Sequence, residues 1–167
     1  MNTMDAFLDK LRKETPGAQT VEERFEQQKR EWIADLGKLM EQLGSWLSKG
    51  EAEGLIRIDR RKIELAEEDL GLYEVPALTI HLRTTHPRSI KVEPRGMRIV
   101  GVVVEGAKTA ARERLTGAEG RVDLVCGAER VTLLRSRQRD WKIVDRTGCT
   151  SDFTEAAFIE TLDDLIG

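Results

Sequence analysis

The apolar residues in the first third of the chain recur at the spacing of an amphipathic helix. Thr20 and Glu23 form a T-x-x-E capping box at the start of this region. The apolar positions that follow keep a heptad-like spacing: Phe25, Trp32, Leu36, Leu39, Leu43 and Trp46. The pattern predicts a helix over residues 21–48, on the order of 40 Å long.

A shorter amphipathic helix is predicted over residues 3–14, and the breaker Pro16-Gly17 ends it. Gly37 and Gly44 lie seven positions apart, and therefore on one face of the longer helix. Two explanations for these glycines remain open. Either another backbone packs closely against this face, or the glycines weaken and bend the helix.

From Gly54 onward, apolar and polar residues alternate with the period of two that is typical of strands. Strands are predicted at 55–58, 62–65, 77–82, 89–92, 97–104, 121–126, 130–135 and 141–144. Asp59-Arg60-Arg61 separates the first two, and Pro94-Arg95-Gly96 predicts a turn. The strand at 97–104 is the most apolar and is expected to be central, and 105–120 is expected to be an insertion. Short connections favour an antiparallel meander.

A final helix is predicted over 152–166, with Asp152 and Glu155 as a D-x-x-E variant of the capping box. The order of elements predicts the α+β class, with about six to eight mostly antiparallel strands covered on one face by a long N-terminal helix and a C-terminal helix. The 167 residues are expected to form a single domain. Its parts are the helical segment 1–50, the sheet 54–146 with the insertion 105–120, and the helix 152–166.

The charge is distributed unevenly, although hydrophobic residues at 40% and charged residues at 34% are typical of a soluble globular protein. The net charge is −3 over residues 1–54, +5 over 55–146 and −5 over 147–167. Arginine outnumbers lysine 15 to 4 in the basic middle block. Such a block attracts an acidic partner or phosphates. The alternative is that its charged residues are simply the solvent-facing residues of the strands.

Two further features concern the cellular setting. Cys126 and Cys149 do not make a disulfide framework, which favours a reducing, cytoplasmic compartment. No apolar run is long enough to span a membrane, and residues 1–20 lack the apolar core of a secretory signal. We therefore expect no membrane partner.

No sequence motif for a nucleotide, metal or catalytic site is complete. The segment 101–109 resembles a P-loop, but Ala107 displaces the lysine that must follow the second glycine. His81 and His86 lack the spacing of zinc ligands, and nothing in the sequence places a histidine beside Cys149. We therefore predict no catalytic residue, no cofactor and no metal site.

Four arginines around the predicted strand at 89–92 are candidates for anion binding: Arg83, Arg88, Arg95 and Arg98. Nucleic-acid recognition is only weakly supported, because Tyr73 and Trp141 are the sole aromatic residues of the middle block and base stacking needs several.

Several short motifs match one loose pattern: Trp46-Leu47, Gly54-Leu55-Ile56, Leu70-Gly71-Leu72-Tyr73 with Pro76, Val92-Glu93-Pro94, Ile99-Val100-Gly101, Gly120-Arg121-Val122-Asp123, Trp141-Lys142-Ile143, and Phe158 with Leu162. Through them, residues 46–104 and 120–165 resemble small bacterial accessory or mobile-element proteins of the integron-cassette kind, a group of unknown function. The resemblance implies no catalytic residues. The stretch 105–119 is longer here than in that pattern.

The leading hypothesis is a non-enzymatic protein-binding accessory module of immunity type. Self-association is a linked hypothesis, in which two copies pair through Trp32, Leu36, Leu39, Leu43 and Trp46. The alternative is that this stripe covers the sheet of its own chain. Two other functions remain open, namely a nucleic-acid-associated protein that uses the arginine-rich block, and a small enzyme or ligand binder with a pocket between sheet and insertion.

Overall fold

A computed structural model describes residues 3–14, 20–68, 70–97, 119–145 and 147–167. The helices of this part of the chain are α1 (Thr3–Glu14), α2 (Val21–Trp46), α3 (Ser48–Ala52) and α4 (Glu155–Ile166). Its strands are β1 (Ile56–Glu67), β2 (Gly71–Leu82), β3 (Arg88–Gly96), β4 (Arg121–Cys126), β5 (Glu129–Arg135), β6 (Trp141–Val144) and β7 (Thr150–Asp152). The seven strands form one antiparallel sheet in sequence order. The predicted α+β class is confirmed.

Helix α2 begins where the capping box predicts. Thr20 Oγ1 accepts a hydrogen bond from the Glu23 N–H at 3.1 Å, and the Glu23 carboxylate accepts one from the Thr20 N–H at 3.4 Å. These bonds satisfy donors that the first turn of a helix leaves open. The helix ends at Trp46, two residues before the predicted end, and Leu47 joins it to the short helix α3.

The apolar stripe of α2 packs into the main core. Trp32, Leu36 and Leu43 are fully buried there. On the sheet, directly paired residues point to the same face, and the core face carries the fully buried residues Ile80, Ile90, Val92, Leu124, Val122 and Leu133. Burial of each such side chain contributes on the order of 2 kcal/mol.

Helix α4 completes the core from the C-terminal side. Phe158 is fully buried, and its ring lies 5.7 Å from Trp46 and 5.8 Å from Phe153. The predicted cap at Asp152 is wrong, because Asp152 belongs to β7. Thr154 caps the helix instead, since its Oγ1 accepts a hydrogen bond from the Ala157 N–H at 3.2 Å.

The two glycines of α2 differ in their surroundings. A Cβ at Gly37 meets nothing within 4 Å, whereas a Cβ at Gly44 lies 2.9 Å from Nη2 of Arg60. Gly44 is buried and makes room for a side chain of β1 rather than for another backbone.

Two local predictions about strands are wrong. The two strands predicted at 55–58 and 62–65 are one continuous strand, β1, which begins at Ile56. Its segment Asp59-Arg60-Arg61 lies on the edge of the sheet, where charged residues are tolerated. Pro94-Arg95-Gly96 is part of β3, and the register with β4 shifts between Pro94 and Gly96. Such an irregularity accommodates a proline in a strand.

Some predictions fall outside the described residues. They include most of the strand at 97–104, nearly all of the insertion at 105–120, the P-loop-like segment 101–109, and Arg98. In the described ranges no helix has the length and apolar character needed to cross a membrane.

Candidate binding surface

The sheet face opposite the core carries a dense set of charged and polar side chains. We call it the outer face and define it by Arg57, Asp59, Arg61, His81, Ser89, Lys91, Glu93, Arg95, Arg121, Asp123 and Arg130. Cross-strand pairing places them together, as in the pairs His81–Ser89 and Glu93–Asp123. The set holds six cationic side chains and three acidic ones. The outer face is therefore basic, with acidic groups between the cations.

Asp123 lies at the centre of this surface with 0% of its side chain exposed. Its carboxylate accepts hydrogen bonds from Arg95 Nε at 3.0 Å, Arg121 Nε at 2.9 Å and Thr132 Oγ1 at 3.0 Å. Arg130 Nε approaches it at 3.7 Å as an ion pair. One buried carboxylate thus gathers three guanidinium groups, whose side chains are 42% (Arg95), 22% (Arg121) and 52% (Arg130) exposed.

A second carboxylate links this cluster to the edge of the sheet. Glu93 Oε1 lies 3.0 Å from Nη2 of Arg61, and its Oε2 lies 3.6 Å from Nη2 of Arg95. Charges of opposite sign therefore alternate from β1 through β3 to β4. Each exposed pair contributes little to stability, but together they fix the positions of the charges.

Asp59, His81 and Ser89 form a hydrogen-bonded row on the same face. The His81 ring approaches Asp59 Oδ2 at 2.8 Å through Nε2, and Ser89 Oγ at 2.8 Å through Nδ1. In serine proteases the serine lies at Nε2 and the acid at Nδ1, the reverse of this order. Asp59 and Ser89 are also exposed on the strand surface. We interpret the row as cross-strand pairing.

A buried ion pair joins α2 to the end of β5. Arg135 Nη1 donates to Asp35 Oδ2 at 2.7 Å, and Arg139 donates to both oxygens of Asp35, at 2.8 and 2.6 Å. Burial would raise the pKa of the Asp35 carboxyl, but the hydrogen bonds and charges of Arg139 and Arg135 outweigh it, so the pKa is lowered. The Arg135 guanidinium also stacks over Trp32 at 4.9 Å.

An open cleft of about 250 Å³ adjoins this ion pair, and it is lined by Asp35, Lys38, Leu39, Gln42, Arg139 and Trp141. It lies between α2 and the β5–β6 turn. The pocket that the ligand-binder hypothesis expects between the sheet and the insertion falls outside the described residues. In the described ranges, no cluster of three His, Cys, Asp or Glu residues has an arrangement suited to a metal ion.

Another exposed feature is apolar. The predicted stripe of α1 remains on the surface, where Met4, Phe7, Leu8 and Leu11 are 38–58% exposed. None of these side chains belongs to the main core cluster.

The predicted interface stripe lies mostly inside the chain. Trp32, Leu36, Leu39 and Leu43 are buried in the core, and Trp46 is half-buried against Phe153 and Phe158. This placement favours the alternative that the stripe covers the sheet of its own chain.

Three of the four arginines predicted to bind an anion, Arg83, Arg88 and Arg95, lie in the described part of the chain, and they are not brought together; Arg98 lies outside it. Arg88 and Arg95 lie near opposite ends of β3, and Arg83 follows β2. Of these three described arginines, Arg95 alone joins the Asp123 cluster, whereas sequence reasoning missed Arg121, Asp123 and Arg130. The spacing Arg121-x-Asp123 was the available signal, because residues two apart in a strand share a face.

Comparisons with known proteins identify no relative. No family model matches the chain, and neither the curated proteins nor the solved structures give a match.

Proposed function

We propose that this protein is a non-enzymatic, protein-binding accessory module of a bacterial mobile gene set, of the immunity type. Its partner is a protein with an acidic surface segment, which docks on the outer face. The observation that carries the proposal is the set of six cationic side chains on that face, three of which are gathered by the buried Asp123. The resemblance described above supports the accessory, mobile-gene-set part of the proposal.

The sign pattern of the outer face favours a protein over a nucleic acid. Asp59, Glu93 and Asp123 lie between the cations. A polyphosphate backbone is uniformly negative, and it is repelled by the carboxylates of Asp59 and Glu93, which both reach solvent. A protein surface presents acids at separate points and can complement a mixed pattern. Among its described residues, moreover, the outer face offers no Phe, Tyr or Trp for base stacking.

Affinity capture from the native host with charge-reversal variants tests the proposal. The outer-face variant R61E/R130E reverses two exposed cations. K38E/K49E is the matched control, because Lys38 is an exposed residue of α2, which packs on the core side of the sheet, and Lys49 is an exposed residue of α3, which follows α2. We expect one protein to be enriched by the wild type and by the control, and to be lost with the outer-face variant. Equal capture by all three baits would overturn the proposal.

A second candidate function is association with nucleic acid, which the excess of cations on the outer face favours. It predicts that binding to a DNA or RNA duplex weakens steeply with salt, with a slope set by the number of phosphate contacts. Fluorescence anisotropy at low salt measures this directly. Absence of binding to either duplex would remove the candidate.

A further inference from the structure

We infer that Arg95, Arg121 and Arg130 together bind one carboxylate of the partner protein, and that Asp123 positions their guanidinium groups for this contact. The inference rests on the proposed function and names the chemistry by which the outer face recognises its partner. Asp123 is a positioning residue, since its own carboxylate is buried.

The oxygens of Asp123 are fully engaged within the cluster. Oδ1 accepts hydrogen bonds from Arg121 Nε and Thr132 Oγ1, at 2.9 and 3.0 Å. Oδ2 accepts from Arg95 Nε and Arg121 Nη2, at 3.0 and 3.2 Å. Charge-assisted bonds of this length hold both partners firmly. The buried carboxylate therefore fixes where its arginines can point.

The arginines retain donors for a ligand. A guanidinium has five N–H groups, of which Asp123 engages only Nε of Arg95, and Nε and one Nη of Arg121. Arg130 contributes only an ion pair at 3.7 Å. Within the described ranges, Glu93 is the other acid near Arg95, at 3.6 Å from Nη2. With respect to the described residues, outer N–H groups of Arg95 and Arg130 therefore remain for an incoming anion.

The net positive charge of the cluster favours the binding of another anion. Three guanidinium groups surround one carboxylate, which leaves an excess of positive charge at the surface. A carboxylate from the partner reduces the repulsion among the arginines. It also matches the planar fork of a guanidinium, which a lysine cannot offer.

The surroundings favour the carboxylate of an Asp or Glu side chain over a phosphodiester. Glu93 lies directly beside Arg95, and Asp59 lies farther along the same face, on β1. A single carboxylate touches one point between these acids. A nucleic-acid strand carries a negative charge at every nucleotide, so its phosphates are repelled where the strand crosses Glu93 and Asp59.

Binding of a fluorescein-labelled, glutamate-rich peptide to the full chain, followed by anisotropy, tests the inference. Three unlabelled competitors, namely the same peptide, inorganic phosphate and single-stranded oligothymidylate, distinguish the sources of the anion. We expect R95Q and R130Q each to weaken peptide binding about tenfold or more, because a charge-assisted hydrogen bond is lost. R60Q is the matched control, since Arg60 is an exposed cation of β1 that does not belong to the outer face, and we expect a loss below about twofold. R57Q removes an outer-face cation away from Asp123, and we expect it to weaken binding less than R130Q.

Two further variants separate geometry from charge. R130K keeps the charge but loses the fork, and we expect it to bind almost as weakly as R130Q. D123N tests positioning: we expect weaker peptide binding and shifted Nε–H NMR resonances of Arg95 and Arg121. R57Q should leave both resonances in place. Thermal unfolding identifies variants that do not fold.

The outcomes distinguish this inference from the proposed function. If R57Q and R130Q weaken binding equally, or R130K binds like the wild type, the discrete site is overturned and the surface proposal stands. If the wild type fails to bind the peptide, the carboxylate site is overturned, while the capture experiment decides the proposed function separately. Stronger competition by oligothymidylate than by the unlabelled peptide overturns the inference in favour of nucleic acid, and stronger competition by inorganic phosphate overturns it in favour of a free phosphate.

Discussion

Arg135 and Asp35 form a buried ion pair of 2.7 Å, although one hundred positions separate them in the sequence. Asp35 lies on the stripe side of α2, and Arg135 is the last residue of β5. Arg139 adds two further hydrogen bonds to the same carboxylate. The pair therefore fixes α2 against the end of β5, beside the tilted ring pair of Trp32 and Trp141.

We expect D35N to lower the free energy of unfolding by about 3 kcal/mol, because it leaves the buried Arg135 without its counter-charge. The pKa of Asp35 is lowered in the folded state. Its contribution is therefore present above the unfolded pKa of about 3.9, and is lost as the pH falls through the folded value. Urea unfolding at about pH 7 and about pH 3 measures this. The exposed D152N control should change stability by less than about 1 kcal/mol, and an equal loss from D35N at both pH values would contradict the account.

Most of the architecture could be predicted because the periodicity of apolar residues along a single helix or strand shows which face is buried. The heptad stripe of α2 and the alternation of Val122, Leu124 and Cys126 each describe one buried face, so local sequence was sufficient. The break at Asp59-Arg60-Arg61 was misleading, because an edge strand accepts charged residues.

The candidate surface was far less predictable. Arg95 and Asp123 are 28 positions apart, and they meet only because β3 and β4 pair with a register shift between Pro94 and Gly96. The sequence pattern does not encode that register. Proximity to the predicted strand at 89–92 instead suggested Arg83 and Arg88, which lie away from the cluster.

Two alanine substitutions separate the predicted cap of α4 from the observed one. T154A removes the hydroxyl that accepts from the Ala157 N–H, and we expect it to lower stability by about 1 kcal/mol. D152A removes an exposed carboxylate that pairs with Lys142, and we expect a change below about 0.5 kcal/mol. Chemical denaturation of both variants makes the comparison. A larger loss of stability from D152A than from T154A would show that Asp152 caps the helix, as the sequence predicts.

The burial of Leu43 separates a core role of the α2 stripe from an interface role. We expect L43S to lower the free energy of unfolding by about 3 kcal/mol or more, since the side chain is fully buried within its own chain. The loss should be independent of protein concentration. V21S on the exposed start of the same helix is the control, with an effect below about 0.5 kcal/mol. A wild-type melting temperature that rises with concentration, and no longer does so in L43S, would instead show pairing of two copies.

Gly120 is required by the fully buried Trp32. A Cβ at Gly120 lies 2.3 Å from Cζ3 of that ring, and the ring is held by Trp141 at 6.1 Å and Arg135 at 4.9 Å. We expect G120A to lower stability by about 1–3 kcal/mol through overpacking. G37A is the matched control: because no atom lies within 4 Å of its Cβ, we expect it to raise stability by about 0.5–1 kcal/mol. Thermal unfolding of the two variants should therefore shift in opposite directions.

Tyr73 is the single tyrosine of the chain, so its ionisation can be followed by tyrosinate absorbance. Burial raises its pKa, and so do the hydrogen bond from its hydroxyl to Glu67 and the charge of that carboxylate. Glu67 also accepts from the Met97 N–H at 3.2 Å, which holds the carboxylate in place.

We expect tyrosinate to form in the folded protein only well above the ordinary value of about 10, and E67Q to move the midpoint downward without restoring it fully, because burial remains. E64Q, at an exposed position of the same strand, should leave the midpoint unchanged. Because the folded pKa is raised, this contribution to stability is present below about pH 10 and is lost as the pH rises through the folded value. Y73F should therefore flatten the alkaline limb of the stability profile. A wild-type midpoint near 10, or one that E67Q leaves in place, would show that Glu67 does not hold the Tyr73 proton.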